Sequence, residues 1–319
     1  MAIDRRSVLG GMVGLGLLAA LPARAGQAVR LSGRAFGTAW SVTLPAGAIG
    51  DEAAVIAALL DGIDRAMSPF RADSELSAFN RAGAGRHPVG PDFAHVAAEA
   101  LRLAAWSGGA FDPTVGPLVG RYGFGPIRGE RKGDFTGLSC AGGAIGKADP
   151  ALSLDLCGIA KGHALDAVAA RLRRLGHDAF LIDIGGELLA AGHGPHGGPW
   201  QLGIADPLRG GVHTRLAVSG LALATSGDAV NAYEVAGRRY SHTIDPATGE
   251  PVRNPVASVS VAHASAMTAD GLATAMLVLG PGRGLALAEA EGLPVLFLLR
   301  HGRGLAARAS RAFTALAPA

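Results

Sequence analysis

The chain has 319 residues, 49% of them hydrophobic and 17% charged, which is enough apolar material for a substantial core and excludes a disordered or fibrous protein. Its net charge is only +3, its arginines are scattered, and aromatic residues make up 5%, so no basic stripe interleaved with aromatics marks a nucleic-acid surface. Two cysteines, Cys140 and Cys157, leave room for one bridge but not for a disulfide framework, and no CxxC, HExxH or other zinc-type spacing occurs.

At the start of the chain, Arg5 and Arg6 precede an uncharged run over 7–21 that ends in Ala23-Arg24-Ala25. This is the pattern of a twin-arginine export signal with a small-x-small cleavage site, and the run is short for a membrane span. The expectation is a signal over 1–25, cleaved after Ala25, and a periplasmic mature chain forming one domain over 26–319. Next, VRLSGRAFGTAWSVTLP (29–45) has the β-branched and aromatic content of two short strands or one bent one. Helical spacing of Val55, Ile56, Leu59, Leu60 and Ile63 predicts a helix over 51–66, and 92–106 follows the same logic. MSPFRADSELSAFNRA (67–82) reads as polar and turn-rich, and GGAFDPTVGPLVGRYGFGP (108–126) as glycine-rich without periodicity.

The central stretch predicts a strand over 153–156, an amphipathic helix over 160–176 closed by Gly176, and strand, turn and strand over 179–192. Strand material follows at 200–205, 216–227, 238–252 and 256–263. A long apolar helix over 267–279, a last strand PVLFLLR and a polar tail complete the chain. Strands joined mostly by hairpins, with a few long helices against them, argue an α+β fold of antiparallel or mixed sheets.

Two apparent nucleotide motifs fail on context. GHGPHG (192–197) matches GxGxxG, but Pro195 and Pro199 stand where a helix would have to begin. GGAIGKA (142–148) lacks the serine or threonine of a phosphate loop after Lys147. No GxSxG occurs either.

Four polar clusters in glycine-lined turns remain. Asp112 precedes Pro113 in GAFDPTVGPL and is thereby held extended. DLCGIAKGHALD (155–166) sets Asp155 and Lys161 among glycines and alanines that leave the backbone open to a ligand, with His163 and Asp166 read as helix-surface residues. His242 lies three residues before the turn DPATG. In SAMTADGLATAML, Asp270 and Thr274 are four apart and share one helix face among apolar neighbours, with Thr268 the expected cap. A carboxylate in such a place is costly to bury unless it is paired or binds a metal, and its oxygen donors suit Mg²⁺ or Ca²⁺.

With AFDPTVGPLV, LDLCGIAKGHALD, IDIGGEL, SGD, YSHTIDPATGEPV and SAMTADGLATAMLVLG in this order, the chain resembles the ApbE family of flavin transferases, over about 33–299. The resemblance implies a single T-fold-related α+β domain. The implied reaction is cleavage of the FAD pyrophosphate, transfer of FMN to a threonine hydroxyl of an exported or membrane redox protein, and release of AMP. It further implies a magnesium ion held by Asp270, Thr274 and the carbonyl of Gly158. Flavin contacts are implied at Phe36, Phe70, Ala110, Phe111, Asp112, Asp155 and Lys161. Phe36 replaces the family's frequent methionine and Phe70 its frequent tyrosine or tryptophan, while Cys157 replaces a frequent serine.

Elementary chemistry agrees. Cleaving a pyrophosphate requires charge neutralisation on its oxygens, which Mg²⁺ and Lys161 would supply. A threonine hydroxyl must also lose its proton, with His242 the expected base and Asp270 an alternative or assistant. Two other readings use the same site: an FAD pyrophosphatase releasing FMN and AMP, and a non-catalytic exported FAD-binding protein that assists maturation of a periplasmic redox enzyme. A peripheral membrane contact is compatible with all of them.

Overall fold

The computed structural model describes residues 28–45, 50–130, 132–228, 232–235 and 238–317; the export signal expected over 1–25 lies outside them. Its centre is an eight-stranded sheet of β1 (Val29–Ala35), β2 (Thr38–Leu44), β3 (Phe180–Ile184), β4 (Glu187–Ala191), β5 (Leu221–Gly227), β6 (Val256–His263), β7 (Val295–His301) and β8 (Gly304–Ala309). The strands lie side by side in chain order, and every neighbouring pair is antiparallel.

Both faces of the middle strands are covered, which explains why they read as continuous apolar runs rather than as an alternation. On β4, Leu189 and Ala191 join the main core while Leu188 and Ala190 join a second one, and on β7 Val295, Phe297 and Leu299 divide from Leu296 and Leu298 in the same way. The main core lies under the helices α1 (Glu52–Met67), α3 (Pro91–Trp106), α5 (Ala160–Arg174) and α6 (Ala266–Ala290). The second core is closed by the hairpin Trp200–Ala205 and Val212–Val218 and by Phe313 on the short α7 (Arg311–Thr314). A three-stranded sheet of Gly85–Pro88, Ala144–Lys147 and Leu138–Ala141 sits to one side.

Several expectations are corrected. The turn-rich stretch after α1 contains a helix, α2 (Glu75–Arg81), started by Ser74, whose hydroxyl accepts from the Ser77 N–H at 3.0 Å. Lys147, from the failed phosphate-loop match, ends that helix by donating to the carbonyls of Phe79, Asn80 and Ala82. The aperiodic 108–126 stretch carries the short α4 (Gly116–Arg121). The expected strand over 153–156 does not form, because Asn80 takes the place of a partner strand: its side chain donates to Leu154 O at 2.9 Å and accepts from Leu154 N at 2.8 Å. The expected strand over 216–227 is two, broken at Gly220 with φ +73°, and the polar tail holds β8 and α7. The cap of α6 is Ser265 rather than Thr268, with Ser265 Oγ accepting from the Thr268 N–H at 3.2 Å. The first segment of α6 runs to Leu279 as expected and breaks at Gly280 (φ 69°), where Asn254 Nδ2 donates to Leu277 O at 2.7 Å before the helix resumes.

Candidate functional site

The α5–α6 crossing brings the sequence-selected residues together. Gly162 is required there because a Cβ on it would collide with the Ala266 carbonyl, so the two helices meet backbone to backbone. Four residues earlier, a Cβ on Gly158 would stand 3.1 Å from Thr274 Oγ1 and 3.4 Å from Phe111 Cε2. Thr274 Oγ1 also lies 3.4 Å from Ser226 Oγ on β5. One turn back along α6, Asp270 is 4% exposed, and its Oδ2 accepts from the Gly162 N–H at 3.0 Å, so the carboxylate caps the N-terminus of α5.

Beside Asp270 stands an ion pair that the sequence did not announce. Lys161 Nζ donates to Glu187 Oε1 at 2.6 Å, and Glu187 opens β4 directly after the Gly185-Gly186 turn. Glu187 is 4% exposed, and its Oε2 has no partner. Burial pushes the carboxyls of Asp270 and Glu187 up, against the pull of Lys161. Burial would pull Lys161 down, but the Glu187 and Asp270 carboxylates outweigh it and hold the ammonium firmly protonated. One cation thus faces two buried carboxyls, one of them with an unused oxygen.

Phe111 reaches this cradle, as its distance from Gly158 shows, and Ala110 is buried beside it. Asp155 lies against the same segment: its N–H donates to Pro113 O at 2.7 Å, and its side chain packs at Gly116. The Asp112 carboxylate is turned inward, accepting from Thr114 N at 2.8 Å and Thr114 Oγ1 at 2.6 Å and pairing with Lys132 at 2.8 Å. Its side chain therefore shapes the loop. Phe36 and Gly37 form the β1–β2 turn, with φ of 52° and 71°, and Phe36 is the one described non-glycine residue in the left-handed region. Thr38, beside that turn, packs on Gly185, which places the hairpin next to the turn that leads to Glu187. Phe70 is 61% exposed in the loop before α2, a bare ring held by a backbone that Ser74 Oγ ties to Ser68 O at 2.7 Å.

His242 comes from another quarter. The hairpin Ala232–Val235 and Arg238–Ser241 precedes it, and its imidazole meets Phe124 edge to face with centroids 6.2 Å apart. Tyr233 stacks between Phe124 and Tyr240 at 5.1 and 5.2 Å, extending this into an aromatic shelf. Asp228, two residues beyond Ser226, is buried and anchors the hairpin: its Oδ2 accepts from Arg239 Nε at 2.8 Å, and its Oδ1 binds Arg300.

Cys140 and Cys157 are both free thiols, so no bridge restrains the Gly158 turn. His163 and Asp166 are not helix-surface residues as expected: His163 is 7% exposed, and Asp166 accepts from Ser265 Oγ at 2.9 Å, Ala266 N at 2.9 Å and Met267 N at 3.0 Å. Among the described residues no group of three or more His, Cys, Asp and Glu could hold a metal. A divalent ion here would depend on one carboxylate, one hydroxyl and one carbonyl, all oxygen donors suited to a hard cation. The fit to such an ion rests on the open Gly158 turn against Thr274 Oγ1, one turn from the buried Asp270 carboxylate.

The model of the ApbE family matches residues 36–297. The FAD:protein FMN transferase of Vibrio cholerae is 38% identical, with the match covering 97% of this chain and 98% of that protein. The FAD:protein FMN transferase of Haemophilus influenzae is 34% identical over 98% of both. Among solved structures, the flavin transferase ApbE from Vibrio cholerae superposes with a TM-score of 0.83 at 36% identity, covering 92% of this chain and all of that one. The ApbE protein of Thermotoga maritima has a TM-score of 0.82 at 26% identity and the same coverage.

Proposed function

This chain belongs to the ApbE family, and we propose that its flavin transfer uses a magnesium ion and ends on a threonine hydroxyl of an exported protein. It is an enzyme whose reaction moves flavin from FAD to a protein. The observation that carries the finer reading is the meeting of Gly158 with Thr274 Oγ1, one turn from the buried Asp270 and beside Lys161.

In this reading Asp270, Thr274 and the Gly158 carbonyl hold the ion. When bound, magnesium supplies positive charge to the pyrophosphate oxygens. Lys161, kept protonated by its two carboxylate neighbours, faces the same oxygens. Ala110, Phe111 and Asp155 line the flavin side, and the exposed Phe70 offers its ring for stacking. The acceptor Oγ attacks the phosphorus on the FMN side, the Oγ–P bond forms as the bridging P–O bond breaks, and AMP leaves. The acceptor's proton passes to His242, which presents an imidazole at the edge of the aromatic shelf. The twin-arginine pattern before residue 26 supports a periplasmic setting, where an acceptor would be an exported or membrane redox protein, with peripheral contact to the membrane.

Incubation of the mature protein with FAD and Mg²⁺, with and without a threonine-bearing acceptor peptide, tests this. The expected result is a peptide heavier by FMN and an equal yield of AMP, both abolished by chelation. Free FMN and AMP at the same rate with and without peptide would replace the transferase reading by a pyrophosphatase. Bound, uncleaved FAD would replace it by a carrier.

A further inference from the structure

We propose that Asp166 is a positioning residue for the metal site: it locks α5 and α6 in the register that brings Gly158 to Thr274. The proposal rests on the divalent-ion reading above, but its geometry is independent of any ion. Gly158 in the turn before α5 and Gly162 and Asp166 on that helix are spaced by four, as are Ala266, Asp270 and Thr274 along α6. The contacts pair them in antiparallel order. Gly158 lies against Thr274, Gly162 donates to Asp270, and Asp166 accepts from Ala266. Each helix therefore sends one carboxylate to the backbone of the other, and the two ties lie one helical turn apart on either side of the close approach at Gly162.

Asp166 is more than a cap for α6. That helix has its own cap in Ser265, whose hydroxyl oxygen accepts from the Thr268 N–H. Asp166 takes three further donors, Ser265 Oγ, Ala266 N and Met267 N, on two oxygens. The tie matters because a slip of one turn is about 5.4 Å, while Mg²⁺ demands oxygen ligands at about 2.0–2.1 Å in near-octahedral array. The single Asp270–Gly162 hydrogen bond is one tie, and a second tie one turn away is needed to fix the register of the two helices. With Asp166 bearing the second tie, one Asp270 oxygen suffices for Gly162.

The test uses the full mature chain without FAD and two readouts: hydrogen exchange of the Gly162 amide, and the Kd for Mg²⁺ by calorimetry. Asp166→Asn, which loses the charge and presents an amide N–H to backbone donors, is expected to raise Gly162 exchange and to weaken Mg²⁺ about tenfold, in the range seen when a ligand's supporting partner is removed. Ser265→Ala keeps the carboxylate and its two backbone donors but removes the hydroxyl donor and the Thr268 cap, so it should lower the melting temperature and give the same changes in smaller measure even if Asp166→Asn folds poorly. Ser310→Ala, which uncaps the distant α7, should lower the melting temperature without moving either readout. If Asp166→Asn and Ser265→Ala lower the melting temperature but leave Gly162 exchange and the Kd at wild-type values, Asp166 is an ordinary cap and the proposal fails. If the wild type binds no Mg²⁺ while Gly162 exchange still rises in Asp166→Asn, the metal reading fails and the register lock stands.

Discussion

The α5–α6 crossing and the hairpin before His242 are built by opposite means. At the crossing the polar groups are buried or half-buried and tied between elements: Asp270 to Gly162 and Asp166 to three donors across the two helices, and Lys161 to Glu187 on β4. The hairpin stands at the surface, with Tyr233 39% and Val235 55% exposed, and is tethered through Asp228 to Arg239 and Arg300. A site for a small hard cation needs positions fixed to a fraction of an ångström, and packed helices provide that. A group that must meet an incoming protein chain needs access. The division teaches that metal binding and proton removal should fail separately.

The largest expected effect is from Asp270→Asn, which removes the negative charge of the one buried carboxylate on the α6 face while its amide oxygen can still accept from the Gly162 N–H. Flavin transfer should fall by about 10³-fold or more, on the scale of losing a main electrostatic stabiliser. The gain in melting temperature on adding Mg²⁺ should vanish with it. Retention of that gain would remove Asp270 from the metal site.

His242→Ala should lower kcat by about 10²–10⁴-fold, the range of a lost general base, while the Kd values for FAD and Mg²⁺ stay within about twofold of wild type. A parallel loss of metal affinity would show that hairpin and crossing are one unit and break the comparison. Arg239→Met should act in the same direction but less, because Asp228 keeps Arg300 and the hairpin keeps its aromatic stack. A fall in kcat of about tenfold would match the loss of one positioning contact of about 1.4 kcal/mol, again without change in metal affinity.

The sequence disclosed what local periodicity and local chemistry can carry. β6 falls where expected, α1, α3 and α5 begin and end within two residues of the expected bounds, and the i, i+4 pair of Asp270 and Thr274 lies on one face. What it hid are residues whose partners are remote. Asp166 meets Ala266 from 100 residues away, and Asp270 meets Gly162 from 108 away. Glu187 looked like part of a turn-and-strand pattern, and only the approach of Lys161, 26 residues earlier, gives it a role. Segment 153–156 failed as a strand for a related reason. Its composition is strand-like, but its partner is the side chain of Asn80, 74 residues away. Acid residues opening or lining an otherwise apolar element, as Glu187 and Asp166 do, were the available signal.

The smallest predicted effect concerns pH, and it sharpens the comparison from the side of the crossing alone. Burial raises the Asp270 and Glu187 carboxyls above their unfolded values. Groups raised in this way bind protons more tightly in the folded state, so they favour folding most below the ordinary carboxylate range and progressively less as pH climbs through their raised values. A metal ion requires the opposite form, the ionised carboxylate, and competes with the proton for it. The metal-free protein should therefore lose a little stability as pH rises from about 5 to about 8, while the gain in melting temperature from Mg²⁺ grows over the same interval, because the cation then meets carboxylates already stripped of protons. Thermal melts with Mg²⁺ or with chelator across that interval measure both trends. Removing Glu187 by Glu187→Gln should flatten the metal-free trend without abolishing the Mg²⁺ gain, since Asp270 remains. His242→Ala should leave both trends unchanged, because the hydrogen bonds that hold Asp270, Lys161 and Glu187 do not involve His242. If His242→Ala changed the Mg²⁺-linked slope, the electrostatics of the two regions would have to be treated together.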